Sequence, residues 1–326
     1  MILAGDIGGT STRLGLFELA AGKLRAVEEA HYRSRSYPGL AEIVREFVAA
    51  HPQAVEDASF GIAGPVREGR VETPNLPWVV DASALAAALG LPRVTLLNDL
   101  EANAWGVFTL AEHDVATLST GSPARDGNAA IISAGTGLGE AGYHWDGARL
   151  RPFASEGGHA DFAPRDELTV ELWRWLHGRY GHVSWERVVS GPGLVNIFTF
   201  FRDVKHVAVP AALDEAMQSG DPAAAISSAA LDESSELAVR SLDLFITLYG
   251  AEAGNVALKM KATQGVWLGG GIAPKILARL TRPGFLEAFR DKGRFRAFLE
   301  AIPVRVILND QTALRGAAWY ALSLKA

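Results

Sequence analysis

The sequence contains no cysteine, no long apolar run and no excess of basic residues. The absence of cysteine excludes disulfides, thiolate nucleophiles and cysteine-ligated zinc. No apolar stretch approaches the roughly 18 residues that a membrane-spanning helix requires. A formal net charge of -6 and a pI near 5.8 argue against a protein that binds nucleic-acid phosphates. We therefore expect neither nucleic acid nor a membrane as a partner.

The amino-terminal segment MILAGDIGGT reaches Gly and Asp after a few apolar residues, too soon for the apolar region of a signal peptide. The Walker-type pattern that ends in Gly-Lys-Ser/Thr is also absent. With 326 residues, 48% of them hydrophobic, the chain is long enough for two domains. We expect a cytoplasmic globular protein.

Two sequence patterns each occur twice. The order strand, glycine-rich turn, strand is predicted for MILAGDIGGTSTRLGLFEL and again for AAIISAGTGLGEAGYHWDGARL. An apolar strand followed by Leu-Asn-Asp and a helix is predicted for VTLLNDLEANAWG and for VRVILNDQTALRGAAWYAL. We infer two α/β units of related design, with the last helix packing back onto the first unit. The predicted domains are residues 1–110 with 301–326, and residues 111–300.

Two glycine-rich turns are candidates for a phosphate site. Gly8-Gly9-Thr10 and Gly135-Thr136-Gly137 each lie between predicted strands, and each contains a threonine. Glycine allows close approach to the backbone, and consecutive N–H groups in such a turn form a concavity suited to phosphate oxygens. Asp6 comes just before the first turn, where a carboxylate could bind Mg²⁺ directly or through water. One turn alone is equally well explained by chain geometry, but two turns and an adjacent aspartate favour nucleotide phosphates.

A competing pattern occurs at the second turn. Gly137, Gly139 and Gly142 match the dinucleotide-binding fingerprint, and the acidic residue Glu156 follows at about the required 20 residues. The fingerprint requires its glycines to open a helix. The residues that follow, EAGYHWDGARL, contain aromatic residues and an Asp-Gly turn, which are typical of a strand and hairpin. The pattern therefore does not favour a dehydrogenase.

A set of polar residues lies outside these turns. Asn98 and Asp99 end a buried strand, where either Asp99 caps the next helix or the pair binds and deprotonates a hydroxyl. Glu156 and His159 surround a glycine pair in a segment without helical or strand periodicity. Glu186 precedes a Gly-Pro-Gly turn. Together these side chains offer donors and acceptors in numbers suited to a molecule covered in hydroxyls.

These segments together resemble the bacterial glucokinase family. The resemblance runs through GDIGGT, LLNDLEA, SAGTGLG, SEGGHADFAP, WERVVSGPGL and WLGGGIA, and it covers essentially the whole chain. Members of that family are hexokinases with the two-domain actin-like ATPase fold, a ribonuclease H-like α/β fold with a cleft between its domains. The resemblance implies ATP-dependent phosphorylation of glucose at the 6-hydroxyl, which gives glucose 6-phosphate and ADP.

The resemblance also implies roles for individual residues. Asp99 matches the catalytic base, and Asp6 matches a residue near Mg²⁺. The residues that match sugar contacts are Asn98, Asp99, Glu156, His159 and Glu186. The residues that match ATP-binding segments are Gly5, Asp6, Ile7, Gly8, Gly9, Thr10, Gly135, Thr136, Gly137, Gly269, Gly270 and Gly271. Ser11 departs from the asparagine that often follows Gly-Gly-Thr in the family, which concerns the fine geometry of that loop.

Cofactors and partners follow from the same resemblance: ATP, Mg²⁺, glucose and a second copy of the chain in a homodimer. The related ROK group of sugar kinases and repressors has a zinc-binding cysteine cluster that this chain cannot form, so no zinc is expected. Two alternatives stay open, a kinase for fructose, mannose or glucosamine and a sugar-sensing regulator without turnover. Asp310 of the second Leu-Asn-Asp segment is a rival base, which we expect to be a helix cap instead.

Overall fold

The computed structural model describes residues 1–73 and 76–324, which divide into two compact units. The first unit contains Met1–Asp114 and the described residues from Asn309 onward, and the second contains Val115–Leu308. The predicted domain boundaries stay predictions. The strand Val304–Ile307 was placed by the sequence in the first domain, but it is hydrogen-bonded within the sheet of the second unit.

The first unit contains a mixed five-stranded sheet of order β3-β2-β1-β4-β7. Its strands are β1 (Ile2–Ile7), β2 (Ser11–Ala20), β3 (Lys23–Arg33), β4 (Asp57–Ile62) and β7 (Val94–Asn98). A separate two-stranded sheet joins β5 (Arg70–Glu72) and β6 (Val79–Asp81). Strands β1, β2 and β3 are antiparallel neighbours, whereas β4 and β7 run parallel to β1. The first predicted hairpin is therefore confirmed.

Four α-helices belong to the first unit: α1 (Leu40–Ala50), α2 (Ala82–Leu89), α3 (Asp99–Gly106) and α13 (Thr312–Ser323). Helix α1 buries Leu40, Ile43, Val44 and Phe47 in the core, as its apolar spacing predicts. Helix α13 packs its residues Leu314 and Ala317 against β1 and β2. The expectation that the last helix packs on the first unit is confirmed.

Helices α3 and α13 approach each other through glycine. A Cβ at Gly106 would collide with the carbonyl of Thr312, and a Cβ at Gly316 would collide with the carbonyl of Ala102. Only residues without a side chain allow two backbones to come this close. This close contact joins the amino-terminal and carboxy-terminal parts of the first unit.

The second unit contains a six-stranded sheet of order β11-β10-β9-β12-β13-β8. Its strands are β8 (Val115–Ser119), β9 (Ala129–Ala134), β10 (Leu138–Trp145), β11 (Leu150–Ser155), β12 (Gly265–Gly269) and β13 (Val304–Ile307). Strands β9, β10 and β11 are antiparallel neighbours, and β12 and β13 continue parallel to β9. This repeats the connectivity of β1, β2, β3, β4 and β7. The related design inferred from the sequence is thus present in the strand topology.

The helices of the second unit lie mainly between β11 and β12. They are α4 (Glu167–Tyr180), α5 (Gly191–Asp203), α6 (Ala211–Ser219), α7 (Pro222–Leu231), α8 (Glu236–Met260), α9 (Ile272–Lys275), α10 (Leu277–Leu280), α11 (Pro283–Arg290) and α12 (Arg296–Glu300). Helix α8 is 25 residues long and buries side chains all round, because it lies between the sheet and other helices. Within the described part of the chain, no helix combines the length and apolar character needed to cross a bilayer.

Candidate active site

Asp6 lies near the end of β1, opposite Arg13 on β2. Burial of its carboxyl group raises its pKa to about 6, and the guanidinium of Arg13 opposes that rise. The carboxylates of Asp99 and Asp310 contribute smaller parts of the same rise. Three carboxylates of the first unit therefore share one electrostatic environment, with Arg13 as an opposing charge.

The first glycine hairpin, residues 8–10, is held by Ser34. The Gly8 N–H donates to the Ser11 carbonyl (2.9 Å). The buried Ser34 donates its N–H to the Thr10 carbonyl (3.1 Å) and its hydroxyl to the Gly8 carbonyl (2.8 Å). These bonds fix the turn while Thr10 stays exposed. Ser34 was missed in the sequence, because only the pairing of β3 with β2 brings it to the turn.

Gly5 and Ile7, which the family resemblance assigns to ATP, lie within β1 itself. The Ile7 side chain is buried in the core. A Cβ at Gly5 would lie 2.5 Å from Cδ1 of Phe60 and 2.9 Å from Cδ2 of Leu14. The role of Gly5 and Ile7 in ATP binding stays a prediction. Because both residues lie in the core, they could contribute only through their main chain or by keeping Asp6 in position.

Asn98 caps helix α3. Its side-chain oxygen accepts the N–H of Leu100 (2.9 Å), and its side-chain amide donates to the carbonyl of Gly64 (3.0 Å). Asp99 is the first residue of the helix, and its Oδ1 also accepts from the N–H of Leu100 (3.0 Å). The alternative that Asp99 is the cap residue is therefore wrong. Asn103 donates to the Asp99 carbonyl (3.3 Å) and holds the first turn.

The sheet register brings Asp99 to the same end of the first unit as Asp6. Gly61 on β4 pairs with Asp6 of β1 on one side and with Leu97 of β7 on the other. Asp99 comes two residues after Leu97, so it lies just beyond this row of paired residues. A Cβ at Gly61 would lie 2.6 Å from the Cβ of Ala102 and 3.9 Å from the Cα of Asp99. The glycine therefore lets α3 pack closely on β4. Gly61 has a positioning role that its place in the segment GIAGP did not reveal.

Asp310 has a different environment. Its carboxylate forms an ion pair with Arg13 (Nη2 to Oδ2, 2.8 Å), and Nη1 of Arg13 donates to the Asp310 carbonyl (2.8 Å). Helix α13 begins at Thr312 after Gln311 and has no side-chain cap. The expectation that Asp310 is a helix cap is wrong, because Arg13 holds it instead.

The second glycine hairpin, residues 135–137, lies beside the glycine turn 269–271. The Gly135 N–H donates to the Gly137 carbonyl (2.9 Å), and the Gly191 N–H at the start of α5 donates to the Gly135 carbonyl (2.8 Å). Gly270 has a φ of +80°, and a Cβ there would collide with the main chain of Ala134. The positive φ and the close approach to Ala134 each require glycine at position 270. The two predicted ATP-binding segments of the second unit are thus neighbours at the ends of β9 and β12.

Glu186 contacts the second hairpin directly. Its Oε2 accepts the N–H of Leu138 (2.9 Å), and a Cβ at Gly137 would lie 2.6 Å from the same oxygen. The Ser190 hydroxyl donates to the Glu186 carbonyl (2.7 Å) and also caps α5. The side chain of Glu186 is half-buried. These contacts place it next to a predicted phosphate loop.

Glu156 and His159 are exposed and flank a one-turn 3-10 helix, Gly157–His159. A Cβ at Gly158 would collide with the carbonyl of Leu138, so this segment lies against the start of β10. The Trp185 N–H donates to the Ala160 carbonyl (3.0 Å), which ties the segment to the turn that contains Glu186. The second unit therefore groups Glu156, His159 and Glu186 around its glycine hairpin, whereas Asn98 and Asp99 belong to the first unit.

Metal binding by side chains alone is not indicated. Among residues 1–73 and 76–324, no three His, Cys, Asp or Glu side chains are grouped so that they could hold a metal ion. Mg²⁺ is usually bound by one or two carboxylates together with substrate phosphates and water. A single carboxylate such as Asp6, whose raised pKa shows that Arg13 offsets its burial only in part, fits that arrangement.

The repeated mixed sheet and its glycine hairpins define the class of the protein. A glucokinase from an Antarctic psychrotroph, whose crystal structure has been solved, superposes with a TM-score of 0.86 over 99% of this chain and 98% of its own, at 28% identity. A ROK family glucokinase from Streptomyces griseus, solved with glucose and AMPPNP, has a TM-score of 0.65 at 22% identity, with 99% of each chain covered. The chain has the actin-like ATPase fold.

Sequence comparison then gives the family. The family model described as Glucokinase matches residues 3–324. A glucokinase from Trichormus variabilis is 43% identical over 340 aligned positions that cover 99% of both chains. The chain belongs to the glucokinase family, and the resemblance stated from its motifs is confirmed.

Proposed function

We propose that this chain transfers the γ-phosphate of ATP to the 6-hydroxyl of glucose, with glucose 6-phosphate and ADP as products. The proposal is supported by the full-length relatives that are named glucokinases. The observation that carries it is the position of Asp99, a half-buried carboxylate at the first turn of α3 that acts electrostatically on Asp6. This arrangement offers a general base next to a carboxylate suited to the phosphate side of the reaction.

Asp99 accepts the proton of the 6-hydroxyl in this proposal. A sugar hydroxyl is barely acidic, so the base acts mainly as the proton leaves in the transition state. Such a base typically contributes about 10²–10⁴-fold, or roughly 3–5 kcal/mol. Asn98 holds the start of α3 through its bonds to Leu100 and Gly64, and thereby orients Asp99.

The two glycine hairpins bind the phosphates of ATP through their backbone N–H groups, with Thr10 and Thr136 as hydroxyl donors. Phosphoryl transfer depends on positioning and charge stabilisation more than on covalent chemistry. Asp6 would hold Mg²⁺, directly or through water, and the ion would supply positive charge against the phosphates. The turn 269–271 lies beside the adenosine. Ser34 and the start of α5 keep the hairpins in place before substrate arrives.

Sugar recognition is assigned to Asn98, Glu156, His159 and Glu186, with Asp99 at the reacting hydroxyl. Carboxylates and amides can accept and donate hydrogen bonds to several hydroxyls at once. A site built to bind each hydroxyl discriminates strongly against a sugar that lacks one. A homodimer rests on the family resemblance, and both it and a cytoplasmic location stay predictions.

A coupled ADP-release assay across glucose, fructose, mannose and glucosamine tests the proposal, with Asp99→Asn as the control. Glucose-dependent ADP release that is lost in the variant supports it. A clear preference for another hexose would replace glucose as the substrate. Sugar binding without ADP release from any hexose would favour a regulator and overturn the kinase assignment.

A further inference from the structure

A buried pair of carboxylic acids lies in the second unit and has no part in the mechanism above. Glu140 on β10 is 1% exposed, and Glu252 on α8 is fully buried. Isolated ionised carboxylates are rarely buried to this degree, because the loss of hydration is costly. Oε1 of Glu140 is buried and accepts no hydrogen bond from any described residue. A buried polar atom without a hydrogen-bond partner is uncommon in folded proteins and requires an explanation.

Glu140 touches the predicted sugar-binding segment through both its main chain and its side chain. The Ser155 hydroxyl donates to the Glu140 carbonyl (2.7 Å), and the Gly157 N–H donates to the Ser155 hydroxyl (3.3 Å). A Cβ at Gly157 would collide with the Glu140 carboxyl group. The carboxyl group therefore lies directly beneath the residue between Glu156 and Gly158.

The charges that face Glu140 come from several elements. Burial, the largest cause, and the nearby Glu252 raise the pKa of Glu140 to about 8 against the opposing charge of Lys259. Glu252 accepts from Asn255 (2.7 Å) and from Lys259 (3.2 Å), both on α8. Glu140 therefore keeps its proton at neutral pH, beside a second carboxyl group whose pKa is also raised by burial.

Lys292 lies beside this pair and titrates in the same range. Its amino group donates to the Ala251 carbonyl (2.8 Å) and to Asn255 (2.6 Å). Burial, the largest cause, and the charge of Arg165 lower the pKa of Lys292 to about 8 against the opposing charges of Glu252 and Asp291. Any alkaline change in this region must therefore be assigned by mutation to Glu140 or to Lys292.

We propose that Glu140 is a positioning residue whose protonated carboxyl group holds the segment 156–159 in the arrangement that binds the sugar. This inference rests on the proposed function, because it assigns Glu156 and His159 to glucose. When the proton is lost, a negative charge appears beside Glu252 on a carboxyl group whose Oε1 has no hydrogen-bond donor among the described residues. The charged group gains hydration only if the backbone at Gly157 moves away from it. Glucose affinity then falls.

The size of the effect follows from the fraction of protonated protein. If only the protonated form binds and the pKa is about 8, that fraction is about one-tenth at pH 9, so the apparent Kd for glucose rises about tenfold. Measurements from pH 6 to 9 should therefore show a rise in both KM and Kd for glucose, with a smaller change in kcat. The Kd is measured by titration without ATP.

Glu140→Gln is the decisive variant, because glutamine has the shape of the acid and cannot ionise. We expect the ratio of Kd at pH 9 to Kd at pH 7 to fall from about ten to about one. In Glu252→Gln the charge that raises the pKa of Glu140 is removed, so the rise should begin at lower pH. Glu287→Gln, an exposed change on α11, is the matched control and should keep the wild-type ratio.

The stability of the protein gives a second readout. Glu140 holds its proton more tightly in the folded protein than in the unfolded chain, whose pKa is 4.5. The free energy of unfolding should therefore fall as the pH rises from that value to about 8. Glu140→Gln should remove this fall, and urea unfolding at pH 5 and pH 8 checks it.

Two results would overturn the inference. One is a wild-type ratio of Kd values in a folded Glu140→Gln, and the other is a ratio that falls to about one in Lys292→Arg as well as in Glu140→Gln. Failure of the proposed function would look different, because wild type would then release no ADP with glucose at any pH. If Glu140→Gln does not fold, the direction of the shift in Glu252→Gln decides.

Discussion

The two Leu-Asn-Asp segments of this chain have asparagines with similar contacts and aspartates with different surroundings. Asn98 accepts the N–H of Leu100 (2.9 Å), and Asn309 accepts the N–H of Gln311 (2.8 Å), so each asparagine bonds the backbone two residues on. Each amide group also donates across the fold, from Asn98 to the Gly64 carbonyl and from Asn309 to Asp114 (3.0 Å in both). The asparagines are thus equivalent structural residues.

The aspartates are not equivalent. Asp99 lies in the first turn of α3, half-buried, whereas Asp310 precedes α13 and its side chain is 76% exposed. Arg13 neutralises Asp310 through an ion pair of 2.8 Å. The comparison teaches that a short polar pattern specifies the local turn, whereas the surrounding strands decide whether its carboxylate is half-buried or is exposed in an ion pair.

The largest expected difference between the segments is catalytic. Asp99→Asn keeps the shape of the side chain but cannot accept a proton, so kcat should fall by about 10²–10⁴-fold. Glucose titration should show that the variant still binds the sugar. A kcat near that of wild type in the coupled ADP assay would show that another residue is the base. Asp99 and Asp310 would then not differ in catalysis.

The packing of the two helices that follow these segments is the next test. Gly316→Ala forces a methyl group into the carbonyl of Ala102, and such overpacking costs about 1–3 kcal/mol in the free energy of unfolding. Gly178→Ala is the control, because its Cβ meets nothing within 4 Å on the exposed face of α4. Urea unfolding that shows equal stability for both variants would contradict the close approach of α3 and α13.

The asparagines should differ in function but not in stability. Asn98→Ala and Asn309→Ala each remove two hydrogen bonds, so each should lower the free energy of unfolding by about 0.5–2 kcal/mol. Only Asn98→Ala should also raise the KM for glucose, by about fivefold for one lost sugar hydrogen bond. An equal rise in KM for Asn309→Ala would argue that the second segment also serves the sugar.

The smallest effect is expected at Asp310. Asp310→Asn removes an exposed ion pair with Arg13, which is worth about 0.2–1 kcal/mol and less at high salt. The midpoint of thermal unfolding at low and high salt measures this contribution. A loss of turnover as large as that of Asp99→Asn would show that the second aspartate, not the first, is the base.

Much of the fold could be predicted because its signals are local. The hairpins at residues 8–10 and 135–137 are indicated by glycines between alternating strands, and both were confirmed. Helix α7 begins at Pro222 after the Asp221 cap, as the same kind of local signal predicts. The family and its chemistry followed from the order of such motifs along the chain.

The supporting residues of the site could not be predicted, because their contacts join distant parts of the chain. Ser34 reaches the first hairpin only through the register of β2 and β3. Arg13 meets Asp310 only after the chain returns to the first unit. Glu140 resembles any glutamate of a half-buried strand until α8 places Glu252 beside it.

Spacing and residue type along the chain were enough to determine the repeated α/β design, the glycine hairpins and the identity of the polar residues, because turns and caps depend on neighbours a few positions away. The packing of the strands and helices decided the state of each carboxyl group: which one is neutralised, which one is buried and which one keeps a proton. Charge and hydration depend on what surrounds a group in three dimensions, and linear order does not contain that information.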